Sequence, residues 1–223
     1  MGLTHLIGQR TTGHGQEDMH ISEGVLSAPV LISGGALAAA GTAIGLKKLD
    51  YDRIAQAGIL AAAFFVAALI HVPVGPTNAH LILNGLVGLL LGWAAFPAIL
   101  VALVLQAMLF QFGGITALGV NTIIMALPAV LCYIVCSPFL HKRSVLALSA
   151  AFACGFLSVF LSAIILGLAL VFTEENFFEV SAIVVVAHIP VMIIEGVITA
   201  VCVSFFKKVQ PAMLPGPSKQ KLM

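Results

Sequence analysis

Charge is what this sequence has least of. Among its 223 residues only 9% are Asp, Glu, Lys or Arg, against 61% that are hydrophobic, and the mean hydropathy is +1.13. A water-soluble domain carries roughly 25% charged residues, so a surface that faces water on every side is excluded. The net charge of +1 offers nucleic acid or an acidic partner no attraction. Two kinds of chemistry are missing as well. No HExxH zinc pair and no Ser or Asp dyad is present, which argues against an intramembrane hydrolase or metalloenzyme. No Walker A sequence is present either, so the chain cannot drive itself with ATP. Gly41-Thr42-Ala43-Ile44-Gly45-Leu46-Lys47-Lys48 has the wrong spacing for a phosphate loop, and its Gly41–Gly45 pair reads as a close helix-packing site. Cysteine is sparse: Cys132, Cys136, Cys154 and Cys202 all sit in apolar runs. Cys132 and Cys136 stand one helical turn apart, but no second pair completes a soft-metal site, and a buried cysteine ordinarily acts as a small apolar residue.

What the chain does have is long apolar runs. A helix needs about 20 apolar residues to span a bilayer. Cut at their punctuation, the runs predict helices over 25–46, 54–72, 79–92, 97–112, 121–138, 145–172 and 181–206. The expected fold is therefore all-α, a polytopic membrane protein of about seven transmembrane helices. Gly92-Trp93-Ala94-Ala95-Phe96-Pro97 holds a Gly, an interfacial-type Trp and a Pro, which suits a tight turn between the third and fourth runs. Those two runs are short, so one of them is expected to enter the membrane only part-way.

Basic residues set the orientation. Lys47, Lys48, Arg53, Lys142, Arg143, Lys207, Lys208, Lys219 and Lys221 fall on one side of a seven-span arrangement, and only Arg10 on the other. The positive-inside rule then puts the C-terminus in the cytoplasm and the N-terminus outside. Residues 1–18 are polar and lack the apolar stretch of a signal peptide. They read as a disordered arm or as the product of a start codon assigned too far upstream, the second being favoured. Residues 19–208 form the transmembrane domain and 209–223 a cytoplasmic tail.

On this topology His20, His71 and His80 gather at the outer ends of helices, with His80 opening the third helix. Imidazoles concentrated on a chain so poor in polar groups read as ligands for a borderline metal such as Ni²⁺, Co²⁺ or Zn²⁺. The segment from His71 to His80 holds Pro73, Gly75 and Pro76, which forbid continuous helix, so an ordered hairpin is expected, with Asn78 in it. Irregular backbone near membrane depth is tolerated only where it is buried in protein or lines a cavity. Met19-His20 adds a chelating possibility. With Met19 as the first residue, its α-amine, the His20 amide nitrogen and the His20 imidazole form fused chelate rings, and another histidine completes a nitrogen square. Square-planar nitrogen ligation points to Ni²⁺ or Cu²⁺ rather than Zn²⁺.

Met19-His20-Ile21-Ser22-Glu23-Gly24-Val25-Leu26 resembles the opening of the substrate-binding component of cobalt and nickel energy-coupling-factor transporters, the CbiM/NikM family. The Pro73-Val74 hairpin ending in His80 is similar to a second signature of that family. The loop Phe112-Gly113-Gly114-Ile115-Thr116-Ala117-Leu118-Gly119-Val120-Asn121 and the stretch from His188-Ile189-Pro190 to Ile194-Glu195-Gly196 resemble two more. The resemblance implies a seven-helix fold with Met19 and His20 supplying three metal nitrogens and His80 the fourth. It further implies Ni²⁺ or Co²⁺ as transported substrate, a transmembrane coupling (T) subunit, cytoplasmic ATPase subunits and a small accessory membrane protein as partners, and residence in the inner (plasma) membrane. An attached 18-residue arm would remove the Met19 amine from the set, which leaves His20 and His80 as the stronger ligands.

Glu195 and His188 are the remaining polar residues of note, since a charge in mid-membrane costs about 2.5–3.5 kcal/mol. They are seven residues apart on nearly one face, about 10 Å at 1.5 Å per residue, with Pro190 expected to bend the helix between them. Together with His71, Asn78 and Asn121 they are candidates for supporting the metal site. Asn84, Gln106, Gln111 and Asn121 read as polar links between helices, and Asn121 and Gln111 flank the glycine-rich loop. The function read from the sequence is capture and translocation of Co²⁺ or Ni²⁺ as the substrate-specific part of an ATP-driven importer. A stand-alone secondary transporter or channel is the rival; it needs a continuous polar path, and below the outer third only His188 and Glu195 offer one.

Overall fold

In a bilayer each backbone N–H and C=O must find its partner within the protein, and runs of Leu, Ile, Val, Ala and Phe meet that demand as helices. The computed structural model describes residues 21, 24–74, 77–173, 185–186 and 188–215. Its helices are α1 (Ala28–Lys48), α2 (Ile54–Ala67), α3 (Asn84–Leu91), α4 (Ala95–Phe110), α5 (Leu118–Cys136), α6 (Ser144–Val171) and α7 (Ile189–Val209). A two-stranded antiparallel hairpin, β1 (His71–Val74) and β2 (Thr77–His80), joins α2 to α3. Five stretches are long and apolar enough to cross a membrane: Ala28–Lys48, Asn84–Phe110, Leu118–Phe139, Ser144–Val171 and Ile189–Val209. The protein is therefore a multi-pass membrane protein, and its exposed faces, such as Ile32, Leu37, Met108 and Val201, are apolar.

Two helix boundaries differ from those expected. The second helix stops at Ala67 rather than at residue 72, and the third begins at Asn84 rather than at residue 79. His80 thus ends a strand instead of opening a helix. Pro73 has no N–H to donate, so the chain leaves the helix before it and pairs as extended backbone. Leu83 then adopts a positive φ of 56°, which prevents helix from running backwards out of α3. Pro190 does not bend α7, as the sequence suggested; it occupies the first turn, where the missing N–H is unneeded, and His188 sits at the N-cap.

Contacts at both ends of α2 establish the direction of its neighbours. Near its start, Arg53 Nη2 donates to Leu90 O at 2.6 Å, and near its end Phe65 lies 5.6 Å from Phe110, ring to ring. The stretch Asn84–Phe110 is therefore no straight rod. Gly92, at φ 59°, lets the chain reverse, and α4 runs back alongside α2. The turn rests against Lys48, whose ammonium lies 5.1 Å from the Trp93 ring centre. Lys207 Nζ donates to Leu140 O at 2.9 Å, and Gln56 Nε2 to Met213 O at 3.3 Å. These ties gather the helix ends bearing Lys47, Lys48, Arg53, Lys142, Arg143, Lys207 and Lys208 at one pole, here termed the basic end.

The centre of the bundle is α3, all eight of whose residues are buried. It runs parallel to α5: Asn84 meets Met125, Gly88 meets Ala129 and Gly92 meets Tyr133, a constant offset along both chains. Small residues permit this approach, as they do between helices in membranes generally. Gly41 faces Phe96 and Gly45 faces Trp93 and Pro97, so the predicted glycine pair does pack a helix. At Gly88 an added Cβ would press on the Ala129 backbone, whereas at Gly58 it would meet nothing within 4 Å. Gly88→Ala is expected to destabilise the protein by about 1–3 kcal/mol. Gly58→Ala should be neutral or stabilising by up to about 1 kcal/mol. Thermal unfolding of the two variants in detergent checks the contrast.

Candidate metal centre

The hairpin register places His71 opposite His80, Val72 opposite Ala79 and Pro73 opposite Asn78. Leu81 N donates to Ile70 O at 3.1 Å, which closes the open end of the hairpin against the end of α2. His80 itself is buried, and its Nδ1 lies 3.1 Å from Leu81 O. A carbonyl only accepts, so this contact holds the tautomer with the proton on Nδ1 and the lone pair on Nε2. Fixing the tautomer through one ring nitrogen is how proteins prepare the other as a metal donor.

Between His80 and α3 the backbone is neither strand nor helix, and it lies inside the bundle. Glu195 answers it. Its Oε1 accepts from Ile82 N at 2.5 Å and from Leu83 N at 2.9 Å. A carboxylate at the start of α3 also meets the positive end of that helix's dipole. The next residue, Asn84, is completely buried, and its Nδ2 donates to Met125 O at 3.1 Å and to Ser162 Oγ at 2.9 Å. The segment that carries His80 is thereby tied to α5, α6 and α7 at once.

Asn121, one turn before Met125 on α5, performs the same service for the other end of the chain. Its Oδ1 accepts from Ile21 N at 3.0 Å and its Nδ2 donates to Ile21 O at 3.2 Å, clasping both backbone groups of a buried residue. Ile21 directly follows His20. In the glycine-rich loop before α5, Gly113 and Gly114 both adopt φ 75°.

The other expected site residues divide plainly. Met19 and His20 lie outside the described residues. His71 and Asn78 are placed by backbone register alone. His188 is buried at the N-cap of α7, at the end away from the basic residues. Among the described residues no three His, Cys, Asp or Glu side chains form a group able to hold a metal ion. Cys132, Cys136 and Cys154 are free and buried.

Residues 20–213 match the family described as "Cobalt uptake substrate-specific transmembrane region". The chain belongs to the CbiM family. It is 40% identical to a putative metal transport protein of Haemophilus influenzae over 199 residues, 88% of this chain and 97% of that one. It is 42% identical over 118 residues to the fused nickel transport protein NikMN of Rhodobacter capsulatus, a match that covers 48% of this chain and 33% of that protein. A solved transition metal transporter shares the fold at a TM-score of 0.70 and 27% identity, with 91% of this chain and 97% of that chain covered.

Within this CbiM-family bundle the sequence reading missed three hydroxyls. Ser158, Ser162 and Thr199 are completely buried, Ser162 bonded to Asn84 and Thr199 one turn after Glu195. Their signal was spacing: Ser158–Ser162 and Glu195–Thr199 are each one helical turn apart. Gln111, expected to link helices, instead ends α4 in a left-handed conformation at φ 60°. Two predictions follow from the anchors. Glu195→Ala leaves the Ile82 and Leu83 N–H groups buried without their acceptor and should cost about 2–6 kcal/mol, whereas Glu195→Gln, which keeps an acceptor oxygen, should cost clearly less in chemical or thermal unfolding. Asn121→Ala removes both bonds to Ile21, and hydrogen exchange at the Ile21 amide should accelerate by about tenfold or more.

Proposed function

We propose that this CbiM-family protein captures Co²⁺ or Ni²⁺ at the pole opposite its basic end and passes the ion inward as the substrate-specific component of an energy-coupling-factor importer. The observation that carries this reading is the pair of polar anchors on consecutive turns of α5. Asn121 holds the residue that follows His20, and Met125 O receives Asn84, four residues after His80. Two chain segments far apart in sequence are thus held on consecutive turns of one helix. His80 and His20 are the ligands, joined by the His20 amide nitrogen and the Met19 amine in a chain that starts at Met19. His71, opposite His80 in the hairpin, and Asn78 support the site from β1 and β2, and His188 from the start of α7. Asn121 and Glu195 position the two segments without touching the metal.

All described basic residues from Lys47 to Lys208 gather at one pole, which supports seven membrane segments with that pole cytoplasmic and the N-terminal end outside. Residues 19–208 are then the metal-binding domain and 209–223 a cytoplasmic tail. The chain performs no covalent chemistry. Energy for release comes from ATPase subunits acting through a transmembrane coupling subunit, with a small accessory membrane protein completing the assembly. A nitrogen-dominated site favours Ni²⁺ over Co²⁺ at equilibrium.

Metal content of two purified proteins, one starting at Met1 and one at Met19, tests the site. The Met19 form is expected to retain about one Ni²⁺ or Co²⁺ per chain, and His80→Ala to abolish retention. Equal retention by both forms removes the Met19 amine from the ligand set. Retention that survives His80→Ala contradicts the site.

A further inference from the structure

The chain that follows His20 is held at two separate points. Asn121 clasps the N–H and C=O of Ile21 at 3.0 and 3.2 Å, and further along Ser27 N donates to Thr173 Oγ1 at 3.3 Å. Ile21 is buried, and so is Leu26, directly before the second anchor. Between them Gly24 takes a positive φ of 81°, which suits glycine alone. The anchors belong to different helices: Asn121 lies in the first turn of α5, and Thr173 just past the end of α6.

Thr173 serves two helix ends at once. Its backbone N–H bonds to Leu170 O, which leaves Ala169 O, one of the last carbonyls of α6, to another donor. Thr173 Oγ1 gives its hydrogen to that carbonyl at 2.9 Å. With the hydrogen committed, the hydroxyl lone pairs are left for the N–H of Ser27, the N-cap of α1, and a hydroxyl that donates is the stronger acceptor for doing so. The second anchor matters because α1 begins loosely. Ala28 and Pro29 are exposed, and Gly34 is the first buried residue of the helix, pressed against Val120. Thr173 thus shortens the length of chain that metal binding has to order, and ordering chain on binding costs affinity.

We propose that Thr173 is a positioning residue for metal capture: by fastening Ser27 to the end of α6 it holds the arm that carries His20, and so sets metal affinity without touching the ion. The proposal rests on the capture reading above and names the far anchor of one ligand-bearing segment. Asn121 fixes where the arm lies at Ile21. Thr173, with the turn at Gly24 and the buried Leu26, fixes the route by which the arm returns to α1.

The test measures the Kd for Ni²⁺ of the purified full chain, and of the form starting at Met19, by competition with a chelator, together with the absorption spectrum of the bound ion. Thr173→Val keeps the shape of the side chain and removes the hydroxyl. Its Kd should rise by about fivefold, the worth of one hydrogen bond, with the Ni²⁺ spectrum unchanged because the ligands are the same. Thr173→Ser keeps the hydroxyl and should bind as the unsubstituted chain does. Gly24→Ala gives a second reading that alters no helix: among the described residues its Cβ would meet nothing within 4 Å, so only the turn is strained, and affinity should fall likewise. An unchanged Kd in Thr173→Val or Gly24→Ala overturns the proposal, as does Thr173→Ser binding as weakly as Thr173→Val. A changed Ni²⁺ spectrum in Thr173→Val overturns it too, since the hydroxyl would then be a ligand. Failure of the capture reading is separately visible: the unsubstituted chain would hold no Ni²⁺ in either form, or His80→Ala would leave its Kd unchanged.

Discussion

Non-helical backbone inside an apolar bundle is the hardest demand this fold has to meet, and at Ile82 and Leu83 it is met by one carboxylate. Glu195 reaches from α7 to N–H groups 113 and 112 residues earlier in the chain. Without that acceptor two donors would be left unsatisfied in a region that water does not reach, at about 1–3 kcal/mol each. With it, α3 is able to begin part-way through the protein, and His80 can lie buried at the end of a strand. The two N–H groups it accepts from, at the start of α3, favour the carboxyl group's place there. The same contact links α7 to the segment that carries His80, so movement of α7 cannot leave that segment undisturbed.

Around this contact the helices are arranged by two kinds of residue with separate tasks. Glycines set distance. Gly85, Gly88, Gly119 and Gly155 bring helix backbones so close that an added Cβ would overlap a neighbour. Amides set register. Asn84 and Asn121 each form two hydrogen bonds, one pair to Met125 O and Ser162 Oγ, the other to the backbone of Ile21. Van der Waals contact between apolar helices is indifferent to sliding, and polar links between them remove that freedom. The α5 helix takes part in both amide contacts, which makes it the spine against which Ile21 and the start of α3 are placed.

Much of this was legible in the sequence, because hydropathy and the sign of loop charges are local signals. The runs that became α1, α5 and α6, the reversal at Gly92 and the hairpin around Pro73 follow from residues within a few positions of each other. The start of α3 at Asn84 and the true partner of Glu195 do not. Glu195 is conspicuous in sequence as a costly charge, but its partners are main-chain N–H groups, which leave no mark on residue identity. Ser158 and Thr199 were passed over for another reason: hydroxyls in apolar helices usually bond back to their own helix and signify little. Pro190 misled because proline bends a helix from within but merely begins one when it stands in the first turn.

Convergence of His20 and His80 on a single ion is tested most directly by X-ray absorption spectroscopy of the Ni²⁺-loaded full-length protein. Nitrogen-only coordination with scattering from two imidazole rings, reduced to one ring in His80→Ala, is the predicted result. An oxygen- or sulfur-dominated shell, or imidazole scattering that His80→Ala leaves unchanged, would contradict it.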